Sequence, residues 1–318
     1  MSLHFNNTLV IGISATALFD LSDSDALFKK EYKQNPDTAI ATYRKYMLEN
    51  EHTPLKEGIG YPLVKALLSL NRYQQEGETP LVEVVIMSRN SPDTGLRVLN
   101  TIRSFGLGIT RSAFTAGESS ADYLEAFNVD LFLTTDEEDA QKVINNGVCA
   151  SAILSTPPEY NCDIPDGQVR IAFDGDAVLF DESSELVYKE KGMDAFHENE
   201  DSEQDTPMKE GPFASFLKQL AKLQERLPMK VEYSPVRIAI VTARNSPSEM
   251  RVIKTLRHWG VYVDEAFFLG GIEKSKILKA FKAHIFFDDQ DVHLKGSSLV
   301  VPSGKVLYPS NSKMHKHI

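Results

Sequence analysis

Along this chain, short runs of consecutive apolar residues alternate with stretches in which apolar residues recur every three or four positions. Val84-Val85-Ile86-Met87, Gln168 to Phe173, Arg237 to Val241 and His284 to Phe287 are runs of the first kind. Arg237 to Val241 carries no polar alternation, and the four runs together predict buried strands of a sheet covered on both faces. Leu217, Leu220 and Leu223 follow Pro212 at helical spacing. Val252, Ile253, Leu256 and Trp259 form a second apolar stripe, which Gly260 is placed to end. Alternating strands and amphipathic helices predict an α/β fold with a parallel sheet between helical layers. Ligands of such sheets bind beyond the carboxyl ends of the strands.

The pattern also repeats. Thr53-Pro54-Leu55-Lys56-Glu57-Gly58 recurs as Thr206-Pro207-Met208-Lys209-Glu210-Gly211, 153 positions on. Arg89-Asn90-Ser91-Pro92 recurs as Arg244-Asn245-Ser246-Pro247 at 155. Arg97 to Gly106 matches Arg251 to Gly260, and Tyr123 to Phe127 matches Ile277 to Phe281, both at 154. Two copies of one unit are expected, 1–155 and 156–318, with the boundary around Thr156-Pro157-Pro158. Each reads as strand, insertion, strand, helix, strand, helix, strand. With no long Gly/Ser-rich linker, the halves are expected to pack through apolar surface.

Composition narrows the function classes. Of 318 residues, 42% are hydrophobic and 25% charged, as in globular proteins with a substantial core. No apolar run reaches the length of a membrane-spanning helix, and Met1 to Phe19 lacks the basic region of a signal peptide. Cys149 and Cys162 have no metal spacing and read as free thiols of a cytoplasmic protein. The net charge of −11 disfavours nucleic-acid polymers as partners but permits a small phosphate ester. A homo-oligomer stays open.

In the second copy the strand ends carry Asp174-Gly175-Asp176, Thr242 and Asp288-Asp289, with Lys274 at a helix start. Converging carboxylates require a hard cation, and oxygen donors select Mg²⁺. Asp174, Asp176, Asp288 and Asp289 are the candidate ligands. Asp174 is also a candidate nucleophile, and Asp176 a proton donor to a leaving oxygen. Thr242 and Lys274 would hold a transferring phosphoryl group.

These motifs resemble, in order, those of the haloacid dehalogenase-like phosphohydrolases: Ile171-Ala172-Phe173-Asp174-Gly175-Asp176-Ala177-Val178, then Thr242, Lys274 and Phe286-Phe287-Asp288-Asp289. Phe173 to Phe180, Val241-Thr242-Ala243-Arg244, His284 to Gln290, Ile13 to Phe19 and Val64-Lys65-Ala66-Leu67 are similar to the AMP-preferring cytosolic 5′-nucleotidases of type I. The resemblance implies two tandem Rossmann-type domains, the second with a helical cap at about 181–234. It also implies Mg²⁺-dependent hydrolysis of nucleoside 5′-monophosphates through an aspartyl-phosphate. A phosphotransferase, or a phosphatase for another small ester, would use the same core. A non-catalytic nucleotide sensor is the reading from another class.

In the first copy Ser14 stands at the place of Asp174, Met87 at Thr242, Ser120 at Lys274, and Thr134-Thr135 at Asp288-Asp289. It therefore reads as catalytically degenerate: a brace, a wall of the cleft or a site for an effector nucleotide. His197, Lys209 and Phe213 are cap candidates for substrate contact. Arg244 and Asn245 either touch substrate or cap the next helix. Lys276 rivals Lys274, and Asp291 is either an outer partner of the site or a solvated acid. Glu198 to Asp205 reads as a solvated loop, and His315 and His317 as a mobile tail.

Overall fold

The computed structural model describes residues 7–155, 167–228 and 234–317. Cys162 and the expected boundary Thr156-Pro157-Pro158 lie outside them.

The chain opens with β1 (Leu9–Ser14), every residue of it buried. Ser14 caps the short α1 (Ala15–Leu18) by accepting from the Ala17 amide, and β2 (Phe19–Asp20) follows. A helical pair, α2 (Ser22–Gln34) and α3 (Pro36–Glu49), precedes β3 (Lys56–Glu57), which pairs antiparallel with β2. Then come α4 (Tyr61–Ser69), β4 (Val82–Ser88), α5 (Leu96–Ser104) and β5 (Arg111–Phe114). After β6 (Leu131–Thr134), Asp136 caps α6 (Glu137–Asn146), Gly147 ends it at φ +62°, and β7 (Ala150–Ser155) follows.

The order then recurs. β8 (Val169–Phe173) leads into a tight turn, Gly175–Leu179, and the pair α7 (Ser183–Lys191) and α8 (Met193–Ser202). Next are α9 (Ala214–Glu225), β9 (Val236–Thr242), α10 (Glu249–His258) and β10 (Glu265–Phe268). The chain continues with α11 (Lys274–Phe281), β11 (Ile285–Asp288), α12 (Asp291–Ser297) and β12 (Ser303–Lys305). On α10, Val252 and Leu256 are buried, but Ile253 of the expected stripe faces solvent.

Ten strands form one sheet in the order β10-β9-β8-β11-β12-β7-β6-β1-β4-β5. Each half contributes five parallel strands, and they meet where β12 pairs antiparallel with β7, Gly304 opposite Leu154. A side chain at Gly304 would collide with the Phe287 ring at 2.8 Å, so the seam needs glycine. The halves thus share a ladder as well as apolar surface. On one face a single core runs from Ile11 and Ile13 through Ile171 and Phe173 to Phe287. On the other face each half keeps its own cluster, around Phe132 or Phe286. Because the seam is antiparallel, the carboxyl ends of the two sets of strands face opposite rims.

The doubled sequence strings have a structural explanation. The Arg97 Nε donates to the Thr53 carbonyl at 3.1 Å, as the Arg251 Nε does to Thr206 at 3.0 Å. Thr101 Oγ1 accepts from the Leu55 amide, and Thr255 Oγ1 from Met208. These bonds hold the 53–58 and 206–211 segments against the turn after the first strand of each half. The glycines at their ends allow the contact: a Cβ on Gly211 would lie 2.3 Å from the Phe180 carbonyl oxygen, and one on Gly58 2.7 Å from the Leu18 carbonyl carbon. Gly211→Ala is expected to cost about 2–4 kcal/mol, a rigid backbone clash. A denaturation midpoint equal to wild type would refute this account.

The insertion of each half holds a helical pair, and α2 and α3 of the first are longer than α7 and α8 of the second. And α9 is a core helix rather than part of a cap, with Phe216, Leu217 and Leu220 fully buried.

Candidate active site

Asp174 leaves β8 with its amide bonded to the Phe287 carbonyl at 2.8 Å, which fixes it beside the end of β11. Its Oδ1 accepts from the Gly175 amide at 2.7 Å. Thr242 ends β9 and packs so closely that a Cβ on Gly175 would lie 3.4 Å from its hydroxyl. Lys274 opens α11 and turns inward, its Nζ 2.9 Å from Asp174 Oδ1 and 2.7 Å from Asp288 Oδ2. Asp174, Thr242, Lys274, Asp288 and Asp289 are all buried. Lys276, the rival lysine, is exposed.

Crowding sets the proton affinities. Burial, then the neighbouring Asp288 and Asp176, raise the Asp174 carboxyl to about 6 despite the opposing pull of Lys274. Burial alone would raise Asp288, but Lys274 and His293 outweigh it and hold it below the usual carboxylate value. Burial and the Asp288 and Asp174 charges push Asp289 well up. Burial opposes the Lys274 ammonium, yet Asp174 and Asp288 keep its proton bound above the ordinary lysine value.

The donor set fits a divalent cation. One ammonium faces three carboxylates, and Asp289 Oδ1 is buried without a hydrogen-bond partner among the described residues, while its other oxygen accepts from Tyr308. Ligand atoms of Asp174, Asp288 and His293 lie within 4.8 Å of one another. Hard oxygen donors beside an unsatisfied carboxylate are what Mg²⁺ takes, with one imidazole nitrogen available.

Asp176 is placed differently from a ligand. Ala177 at φ +58° turns the chain so that Arg244 grips both Asp176 oxygens, Nε at 2.7 Å and Nη2 at 2.6 Å. The same guanidinium reaches Glu200, which also bonds Arg251 and Ser184. Arg244 is therefore committed to protein carboxylates. Glu198 to Asp205 is partly α8 rather than a solvated loop, and Glu200 is fully buried. His197 bonds Asn245 Oδ1 at 3.0 Å, so the Asn245 side chain is used there and not as a helix cap. Lys209 is exposed. Phe213 is a core residue against Phe287, at 4.7 Å between ring centroids, and is closed to substrate. Asp291 is a solvated acid paired with Lys305.

The end of the chain is docked rather than a free tail. Met314 is buried, His315 bonds the Pro309 carbonyl, and Tyr308 and Ser310 accept from Gln141 and Asn145 of α6. This strap and the 147–150 turn of the first half border a cleft of about 730 Å³ with Ala177, Ser183 and Gly211. The first half thus borders this cleft from the amino end of β7.

Three residues escaped the sequence reading: His293, Tyr308 and Glu200. His293 had a faint signal, one turn into the helix after Asp288. The other two had none, since a tyrosine near the chain end and one acid in an acidic run look unremarkable alone.

A family model described as 5′-nucleotidase matches residues 1–313. Human cytosolic 5′-nucleotidase 1B is 36% identical over 298 residues, which cover 92% of this chain and 47% of that protein. The chain thus spans about half the length of that curated relative.

Proposed function

The chain belongs to the 5′-nucleotidase family, and on that premise we propose that it hydrolyses nucleoside 5′-monophosphates in the cytoplasm with Mg²⁺ as cofactor. The observation that supports this reading best is the Lys274 ammonium held between Asp174 and Asp288 beside the Thr242 hydroxyl. Asp174 and Asp288, with Asp289 or His293, would hold the cation. When bound, it supplies positive charge that neutralises phosphate oxygens and keeps Asp174 ionised at neutral pH.

Asp174 then attacks phosphorus in line. The Asp174–phosphorus bond forms as the bond to the ribose 5′ oxygen breaks, and Asp176 delivers its proton to that oxygen. Lys274 and Thr242 take the charge on the phosphoryl oxygens. In the second step Asp176 removes a proton from water, which attacks phosphorus and releases phosphate from Asp174. The Arg244 grip fixes the orientation of Asp176 for both steps. In the first step a substrate oxygen must replace one of the two Arg244 bonds. Base and ribose would occupy the cleft beside Ala177 and Tyr308.

The test is phosphate release from AMP, IMP, CMP, dAMP and a set of sugar phosphates. Release from the nucleotides is expected to fall at least about 100-fold when EDTA removes Mg²⁺, more than 2.7 kcal/mol of barrier. Preference for sugar phosphates would overturn the substrate class, and activity indifferent to EDTA would overturn the cofactor.

A further inference from the structure

The first half has a strand-end cleft of its own, on the rim opposite the candidate active site. Sheet register identifies its residues more accurately than sequence offset does. Met87 pairs with Ala113 as Val241 pairs with Phe267, so Ser88, not Met87, occupies the place of Thr242. Ser88 accepts from the Asn90 amide as Thr242 does from the Arg244 amide. Ser14, Ser120, Thr134 and Thr135 take the other positions.

This cleft is a set of hydroxyls. Thr16 Oγ1 lies 3.1 Å from Ser14 Oγ and 2.7 Å from Thr135 Oγ1. They line a cavity of about 360 Å³ that shares Asp25, Tyr43, Arg89 and Asn90 with a second of about 440 Å³ under α2 and α3. The second is walled by Phe28, Ile40 and Tyr43, the Phe28 and Tyr43 rings meeting edge to face at 5.8 Å.

Charge decides the class of ligand. No carboxylate stands where Asp174, Asp288 and Asp289 would hold a cation, and Ser120 replaces the lysine. Arg89 is engaged by Asp139 and Asp136. Among the residues lining the hydroxyl cavity, Asp25, Asp136 and Asp139 outnumber Lys29 and Arg89 by one. A phosphate dianion would meet no metal there and, besides the engaged Arg89, a single exposed lysine, Lys29, whose charge already acts on Asp25. A neutral molecule with an aromatic face and several hydroxyls matches both chambers.

We propose that this cleft binds an uncharged nucleoside without metal, its base against Phe28 and Tyr43 and its ribose hydroxyls on the Ser14, Thr16 and Thr135 array. The site is separate from the one that would hydrolyse nucleotides. Its ligand is the class of product that the proposed reaction releases.

The test is calorimetric titration of the full chain with adenosine in EDTA, with AMP as comparator. One site per chain is expected. The Thr16→Val/Thr135→Val variant should weaken adenosine at least tenfold, while Asp174→Asn should leave it unchanged. AMP should bind this site at least tenfold more weakly than adenosine. If thermal melting shows the double variant unfolded, Phe28→Leu carries the same expectation. Absence of adenosine binding at millimolar concentration would overturn the proposal. So would equal binding of AMP, indifference to the first-half substitutions, or loss of the site in Asp174→Asn.

Discussion

Asp174→Asn is expected to reduce turnover at least about 1,000-fold, roughly 4 kcal/mol of barrier, while the fold persists. The amide can still accept from the Gly175 amide but cannot attack phosphorus. Stability should not suffer, and the sign follows from proton binding. The buried Asp174 carboxyl holds its proton up to about 6, whereas the unfolded chain releases it near 4. Between those values the native state binds more protons, so rising pH removes stability from the wild type. Asparagine has no proton to lose, so in EDTA the variant should be at least as stable at pH 7. The difference should shrink as the pH approaches about 5. Phosphate release within tenfold of wild type would remove Asp174 as nucleophile.

Lys274→Met should be as damaging to turnover and should also weaken the metal-free fold. The methionine chain fills much the same space but leaves Asp174 and Asp288 without the ammonium that lies within 2.9 Å of both. Breaking a buried pair from one side costs about 3–5 kcal/mol. Mg²⁺ should restore part of that loss, so the rise in melting temperature on adding Mg²⁺ should exceed the wild-type rise. Lys276→Met, at the exposed rival, should change neither quantity by more than about twofold in rate or 0.5 kcal/mol in stability. Comparable damage from both substitutions would reject the assignment of the phosphate lysine to Lys274.

Much of this arrangement was legible because its causes are local. Largely buried strands such as β8 and β9 announce themselves as apolar runs broken only by Arg170 and Arg237, and their carboxyl ends locate Asp174 and Thr242 without a structure. The repeated strings were legible because both copies use the same side-chain bonds, from Arg97 and Arg251, to hold the same flap. The errors arose where geometry depends on a neighbour. Four strands were read in each half where five stand, so β7 and β12 were both missed; Ser303-Gly304-Lys305 has no apolar signal because β12 is held by pairing with β7 and β11. The extra residue Ala243 shifts Arg244 by one position relative to Arg89, which misaligned Met87 with Thr242 until the ladder corrected it. Arg244 looked available for substrate because nothing in its own segment shows that Asp176 and Glu200, far away in sequence, converge on it.

The antiparallel seam gives the first half a hold on the candidate site that apolar packing alone would not. β12 is three residues long and separates β11, which ends in Asp288, from the edge of its own set of strands. Deprived of β7, that edge would be a short ribbon with open amides and carbonyls, a template for fraying or for recruiting another chain. A lesion at Ala152 or Leu154, remote from any phosphate-handling group, would then register in an activity screen as a catalytic defect. A change in the first half that left its strand-end side chains untouched but loosened its sheet would therefore reach Asp288 through β12.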